Sequence, residues 1–328
     1  MQIGVFVLSA IISLTASTLL VTRLERIGER LGVSEALLGL IAALAADGPE
    51  ITSAITAIAH GNGTIGVGVT LGSNVFNLAA LLGLSAIIAG RIALHRRSIL
   101  LEGSVGLWIS LVGLAVVVGL LGAVFGLALA LLAFVPYVAY SAVPAARRPR
   151  INLPGSWSIW LAGALAEEEL ELEVAIHSRP GDARDALVAG ASLVAVVLAS
   201  VVMEESATDF GPQAGLVPIV IGALILAAVT SLPNAVAAIY LASRGRGAAV
   251  LSTAFNSNAI NVIVGLLIPA LILGLGGPSD EATFVALFYV GLTALAIALA
   301  LRGKGLDRRS GSIVIAGYLV FAAVLVTR

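Results

Sequence analysis

From Ile3 to Thr22 the chain runs without one charged side chain, and stretches of similar apolarity return nine more times before its end. Each is long enough to cross the ~30 Å of hydrocarbon in a bilayer as a helix rising about 1.5 Å per residue. Inside lipid every backbone N–H and C=O has to be satisfied within the protein, so such a chain folds as a helical bundle. The runs fall near 3–22, 32–59, 65–90, 98–118, 121–141, 186–207, 213–242, 248–274, 282–301 and 310–327. The division between the fourth and fifth is the least marked, because Gly119-Leu120-Leu121-Gly122 is a weak turn signal. Composition agrees with a membrane protein: 11% of residues are charged, against roughly a quarter in soluble domains.

The positive charges test the count independently. Arg23, Arg26 and Arg30 follow the first run; Arg91, Arg96 and Arg97 follow the third; Arg147, Arg148, Arg150, Arg179 and Arg184 follow the fifth. Arg244 and Arg246 follow the seventh, and Arg302, Lys304, Arg308 and Arg309 the ninth. Ten alternating crossings therefore put 17 of the 18 Lys and Arg residues on one face, with Arg328 opposite. The positive-inside rule makes that face cytoplasmic, with both termini outside and the protein in the plasma (inner) membrane. No positive charge precedes the first run, which is expected to stay as a span and not to be cleaved as a signal peptide.

Two of the runs are interrupted. Ala46-Asp47-Gly48-Pro49-Glu50 breaks the second, and Gly72-Ser73-Asn74-Val75-Phe76-Asn77 follows in the third. Later the pattern returns as Thr230-Ser231-Leu232-Pro233-Asn234, then Asn256-Ser257-Asn258-Ala259-Ile260-Asn261. A shift of 184 residues, without a gap, lays Pro49 on Pro233, Gly61 on Gly245, Gly63 on Gly247, Ser73 on Ser257, Asn74 on Asn258 and Asn77 on Asn261. Six such matches at one offset indicate an internal duplication. Because five spans separate the two copies, they enter the membrane in opposite directions. The expected fold is thus all-α and polytopic, ten transmembrane helices in two inverted five-helix repeats: 1–141, a cytoplasmic loop over 142–185, and 186–328.

The broken helices carry the chemistry. Carboxylates at membrane depth are costly unless they face protein, water or an ion. Hard cations take six to eight oxygen ligands drawn from carboxylates, carbonyls, amides and hydroxyls. The motifs supply Asp47 and Glu50 as carboxylates, Ser73, Thr230, Ser231 and Ser257 as hydroxyls, and Asn77, Asn234 and Asn261 as amides. Carbonyls freed by Pro49 and Pro233 are expected to add to them. Asp47 and Glu50 lie three apart, and Ser73 and Asn77, like Ser257 and Asn261, lie four apart, so each set shares a helical face. Against this stand plainer roles: Asp47 capping a helix end, Asn234 and Asn261 joining helices, Ser73 and Ser257 packing, and the four glycines making turns.

Cysteine is absent and there are three scattered histidines, which excludes disulfides and thiolate chemistry and gives no histidine metal cluster. No paired nucleophile and base suggests an enzyme. In the loop, Arg147-Arg148-Pro149-Arg150 reads as a topogenic and headgroup-binding patch, and the acidic run Glu167–Glu173 as a short solvated or interfacial helix, or a regulatory cation-binding face. Glu204, Glu205 and Asp209, closing the sixth span, are placed to concentrate cations at an outer mouth.

These motifs resemble those of the Ca²⁺/cation antiporter superfamily, best known through sodium/calcium exchangers, whose two alpha repeats read G-T-S-L-P-E followed by G-S-N-(I/V)-x-(N/D). The resemblance covers both repeats and the ten-span layout and leaves out only the 145–183 loop. It implies that Glu50 coordinates Ca²⁺, that Thr230 and Ser231 help bind Na⁺, and that Ser73, Asn77 and Ser257 complete the pocket. It further implies exchange of Na⁺, or in some branches H⁺, for Ca²⁺, with no cofactor. Three departures stand out: Asn234 where a second Glu is the rule, Asn261 where Asp is common, and Ala46-Asp47-Gly48 in place of Thr-Ser-Leu. Asp47 is positioned to restore the missing charge.

The expected activity is Na⁺/Ca²⁺ exchange by alternating access, with Na⁺/H⁺ or other monovalent exchange and Ca²⁺/H⁺ exchange as alternatives. A channel or a transport-inactive sensor is a further alternative. Expected partners are metal cations and membrane lipids; nothing implies nucleic acid or an obligatory protein partner.

Overall fold

A computed structural model describes residues 2–31, 35–143, 156–157, 159–166 and 180–327. The basic patch at Arg147, Arg148 and Arg150, Arg179 and the acidic run Glu167–Glu173 lie outside the described residues. The helices are α1 (Gln2–Leu31), α2 (Glu35–Ala46), α3 (Gly48–Ala59), α4 (Gly63–Ala89), α5 (Arg96–Val117), α6 (Ala123–Ser141) and α7 (159–166). They continue as α8 (Ala183–Gln213), α9 (Pro218–Thr230), α10 (Leu232–Ser243), α11 (Gly247–Leu273), α12 (Asp280–Gly303) and α13 (Arg308–Thr327).

Among the described residues eight helices are singly long and apolar enough to cross a membrane, and α9 with α10, bent by 47°, make a ninth. The second span is broken where its interruption predicts, into two twelve-residue helices, α2 and α3, meeting at Asp47. The cause is local: Pro49 has no N–H to continue the ladder of α2, yet suits the first turn of a new helix, as Pro233 does in α10. Between α5 and α6 the weak turn is made by Gly119 at φ +76°, a left-handed conformation that favours glycine, and the two spans separate there. An all-α chain was expected, but Arg91–Ala93 (β1) pairs antiparallel with Gly305–Asp307 (β2). Two loops at one end of the bundle thereby satisfy each other's backbone groups.

Small residues let backbones touch. A Cβ on Gly72 would lie 2.4 Å from the Ala223 Cα, so α4 and α9 cross in backbone contact. α1 and α8 lie side by side along their length, joined by Ser13 and Ser200 at 2.8 Å, by Phe6 edge-on to Phe210, and by Arg23 bonded to Asp185 at 2.7 Å. The arginine-bearing loops gather at one end: Gly181 N–H donates to the Arg26 carbonyl, Ser98 donates to the Ala164 carbonyl, and Gly247 abuts the Ala93 carbonyl. At the other end Gly63 abuts the Leu275 carbonyl, Gly119 meets Pro278, and Gln2 donates to Asp209.

π-helical turns, in which each N–H reaches five residues back, run over Leu78–Leu84 in α4, Ile221–Leu226 in α9 and Asn261–Leu267 in α11. In α4 the turns begin just after Asn77 and in α11 at Asn261, the two positions related by the 184-residue shift. Both motifs thus end where their helices widen.

Candidate cation site

The breaks at Asp47 and Ser231 bring the starts of α3 and α10 together. Asp47 stands at the cap position of α3, but its side chain bonds no backbone N–H there. Its Oδ1 instead accepts from Asn234 Nδ2 at 2.6 Å and from the Ser257 hydroxyl. Glu50 Oε1 accepts from the Ser231 hydroxyl at 2.5 Å, and its Oε2 from Asn261 Nδ2. Every one of these bonds joins the first half of the chain to the second. Position 47 corresponds to 231 and position 50 to 234, so Asp47 with Asn234 and Ser231 with Glu50 are one contact made twice. In one copy the carboxylate sits on the earlier position, in the other on the later.

Beneath the carboxylates lies a lattice of asparagines with the same duplication. Asn77 Nδ2 donates to Asn258 Oδ1 at 3.1 Å, and Asn261 Nδ2 to Asn74 Oδ1 at 3.1 Å. Asn74 Nδ2 donates to the Asn258 carbonyl at 3.0 Å, and Asn258 Nδ2 returns a bond to the Asn74 carbonyl at 3.2 Å. The Tyr289 hydroxyl of α12 lies against Asn74 and Asn258.

All nine residues expected at the site are at most 1% exposed. Four of their oxygens, Asp47 Oδ2, Ser73 Oγ, Asn77 Oδ1 and Asn261 Oδ1, have no hydrogen-bond partner. A buried acceptor left so costs about 1–3 kcal/mol, and a cation or water relieves it. Among the described residues the ion pairs are Arg23 and Arg26 with Asp185, and His60 with Glu204; neither pocket carboxylate has a basic partner. No three His, Cys, Asp or Glu side chains among them are arranged to hold a metal ion either. The arrangement therefore offers two carboxyl groups and neutral oxygens, a set suited to hard cations.

Two contacts lie outside the duplicated set. The Thr230 hydroxyl is turned onto its own helix and donates to the Leu226 carbonyl at 2.8 Å. The Ala45 carbonyl, which Pro49 cannot engage, accepts from Ser17 of α1 at 3.1 Å, which uses one of its two lone pairs.

Residues 1–145 and 185–327 match the family described as sodium/calcium exchanger protein. The chain belongs to that family. Its members are exchangers, membrane transporters of cations by antiport. The candidate antiporter CaxA of Alkalimonas amylolytica is 37% identical over 84 residues, which span 25% of this chain and 26% of that protein. Among solved structures, the sodium-calcium exchanger NCX_Mj superposes with a TM-score of 0.64 at 20% identity, covering 98% of this chain and 97% of that one. The H⁺/Ca²⁺ exchanger CAX gives 0.70 at 16% identity, covering 99% and 86%. At these identities the likeness speaks for the exchanger fold.

Sequence reasoning passed over several residues now at the site. Asn74 and Asn258 were matched as repeat positions, and a residue on a two-fold axis has to meet its own counterpart, so that signal was available. Ser17, which reaches the Ala45 carbonyl from α1, carried none.

Proposed function

We propose that the chain is a secondary active antiporter that carries Ca²⁺ against Na⁺ through two inverted five-helix halves, of ten spans in total, with both termini outside the cytoplasm. The observation that carries this is the buried cluster at the two helix breaks. Two carboxylates without a basic partner are held by amides and hydroxyls of the opposite half, beside four unpartnered oxygens. Asp47 and Glu50 supply the charge that a divalent ion needs, and Ser73, Asn77, Ser231, Asn234, Ser257 and Asn261 supply neutral oxygens. Thr230 shapes the α9 end by holding the Leu226 carbonyl. Ion binding favours whichever access state it fits better, and the pocket opens to each face in turn.

A second reading takes H⁺ as the counter-ion. It is favoured by Ala46 and Asp47, which stand where Thr230 and Ser231 stand in the second half and leave the first half with fewer hydroxyls for Na⁺. Two protons neutralise the same two carboxylates. Ca²⁺ uptake into sealed proteoliposomes, under imposed Na⁺ and H⁺ gradients separately, tests both. Uptake driven by neither gradient, or unaltered by Glu50→Gln, would end the proposal.

A further inference from the structure

Glu204 of α8 is a buried carboxylate with no part in the pocket. It is fully buried; Oε1 accepts from Thr208 at 2.9 Å, and Oε2 has no hydrogen bond. Facing Oε2 at 3.7 Å is Nδ1 of His60, at the end of α3, with half of its side chain open to solvent. That distance is too long for a hydrogen bond but within reach of an ion pair once the imidazole is charged.

The position of the pair gives it leverage. α3 carries Glu50 and is preceded by Asp47 at its cap, and the Val196 side chain of α8 lies against its first residue, where a Cβ on Gly48 would meet it at 3.2 Å. Because the pocket is closed to solvent, an ion entering from the His60 end has to pass helices that are now in contact. His60 and Glu204 join α3 to α8 at that end, which is opposite the arginine-rich one. The other ionisable groups facing Glu204 are Glu205 and Asp209 on α8 itself, the latter bonded by Gln2 of α1. The described part of α1 places its own charges, Arg23 to Arg30, at the far end, and α9 has none.

We propose that His60 and Glu204 form a proton-binding site separate from the ion pocket, a clasp that closes α8 onto α3 when the imidazole is protonated. Neutral His60 leaves Glu204 Oε2 unengaged and the two helices free to part. Acid on that face therefore slows the cycle even when the pocket is saturated with substrate ion. Protonation of Asp47 or Glu50 acts differently, because more Ca²⁺ overcomes it.

The test compares wild type with His60→Gln and Glu204→Gln in proteoliposomes, at saturating Ca²⁺. Lowering the pH on the His60 face from about 8 to about 6 is expected to slow wild-type turnover about fivefold, equivalent to about 1 kcal/mol in barrier. Both variants should keep the alkaline rate and lose that slowing. Hydrogen–deuterium exchange of the peptide spanning residues 58–64, corrected for the intrinsic effect of pH, gives a readout without transport. Extra protection at acid pH should occur in wild type and be absent from both variants. A saturated rate that falls equally in all three proteins, or no acid-dependent protection in wild type, would overturn the proposal. A protein that shows the protection but moves no Ca²⁺ would leave the clasp standing and count against the antiporter reading alone.

Discussion

Neutralising Asp47 separates its two readings, ion ligand or structural carboxylate, through the charge of the ion. A carboxylate about 4 Å from a unit charge contributes about 4 kcal/mol at an effective dielectric constant of about 20, and about twice that for a divalent ion. Asp47→Asn keeps the side-chain size and leaves Asn234 and Ser257 an oxygen to bond, so the main loss is charge. The difference between divalent and monovalent binding is then about 4 kcal/mol, or about a thousandfold shift of preference away from Ca²⁺. Calorimetric titration of purified protein with Ca²⁺ and with Na⁺ measures it directly. The duplicated contact supplies a rescue: Asn234→Asp added to Asp47→Asn returns the carboxylate to the other end of a 2.6 Å hydrogen bond. That double variant should recover most of the lost Ca²⁺ affinity. If Asp47→Asn binds Ca²⁺ within about threefold of wild type, or weakens Ca²⁺ and Na⁺ alike, the carboxylate does not act on the ion through its charge and the reasoning fails.

Other expectations follow from the packing. Ser17→Ala leaves the Ala45 carbonyl without its donor and should lower stability by about 1–2 kcal/mol, seen as a lower melting temperature in detergent. Gly72→Ala places a methyl 2.4 Å from the Ala223 Cα and should abolish folding or cost several kcal/mol by the same assay, whereas Gly4→Ala, with nothing within 4 Å, should be neutral. Asn74→Ala and Asn258→Ala should each destabilise, and the double variant should lose clearly less than the sum, since the two share one pair of reciprocal bonds; simple additivity would show that they act separately.

Much of this was legible in the chain, for identifiable reasons. Apolar runs and arginine placement are set by the bilayer, which acts on every residue alike, so the helices emerge from composition. The 184-residue shift singled out the two broken helices that do meet, although not which side chains pair: Asp47 met Asn234, and Glu50 met Ser231. What stayed hidden depends on side-chain direction. A threonine on the polar stripe, Thr230, bonds its own helix, and a serine on another helix, Ser17, takes the carbonyl that Pro49 frees. The Gly305–Asp307 strand has no alternating pattern to announce it, since three residues are too few for a period to show.

The lack of a basic partner for Asp47 and Glu50 among the described residues has an electrical consequence. An ionised, unloaded pocket is a bare double charge held within the low-dielectric slab, and turning it from one face to the other leaves that charge without counterions throughout. In the alternating access proposed above, reorientation is easy only when cargo totalling two positive charges is aboard. In that proposed cycle a lysine or arginine beside the carboxylates would remove this barrier and let the empty protein slip across uncoupled.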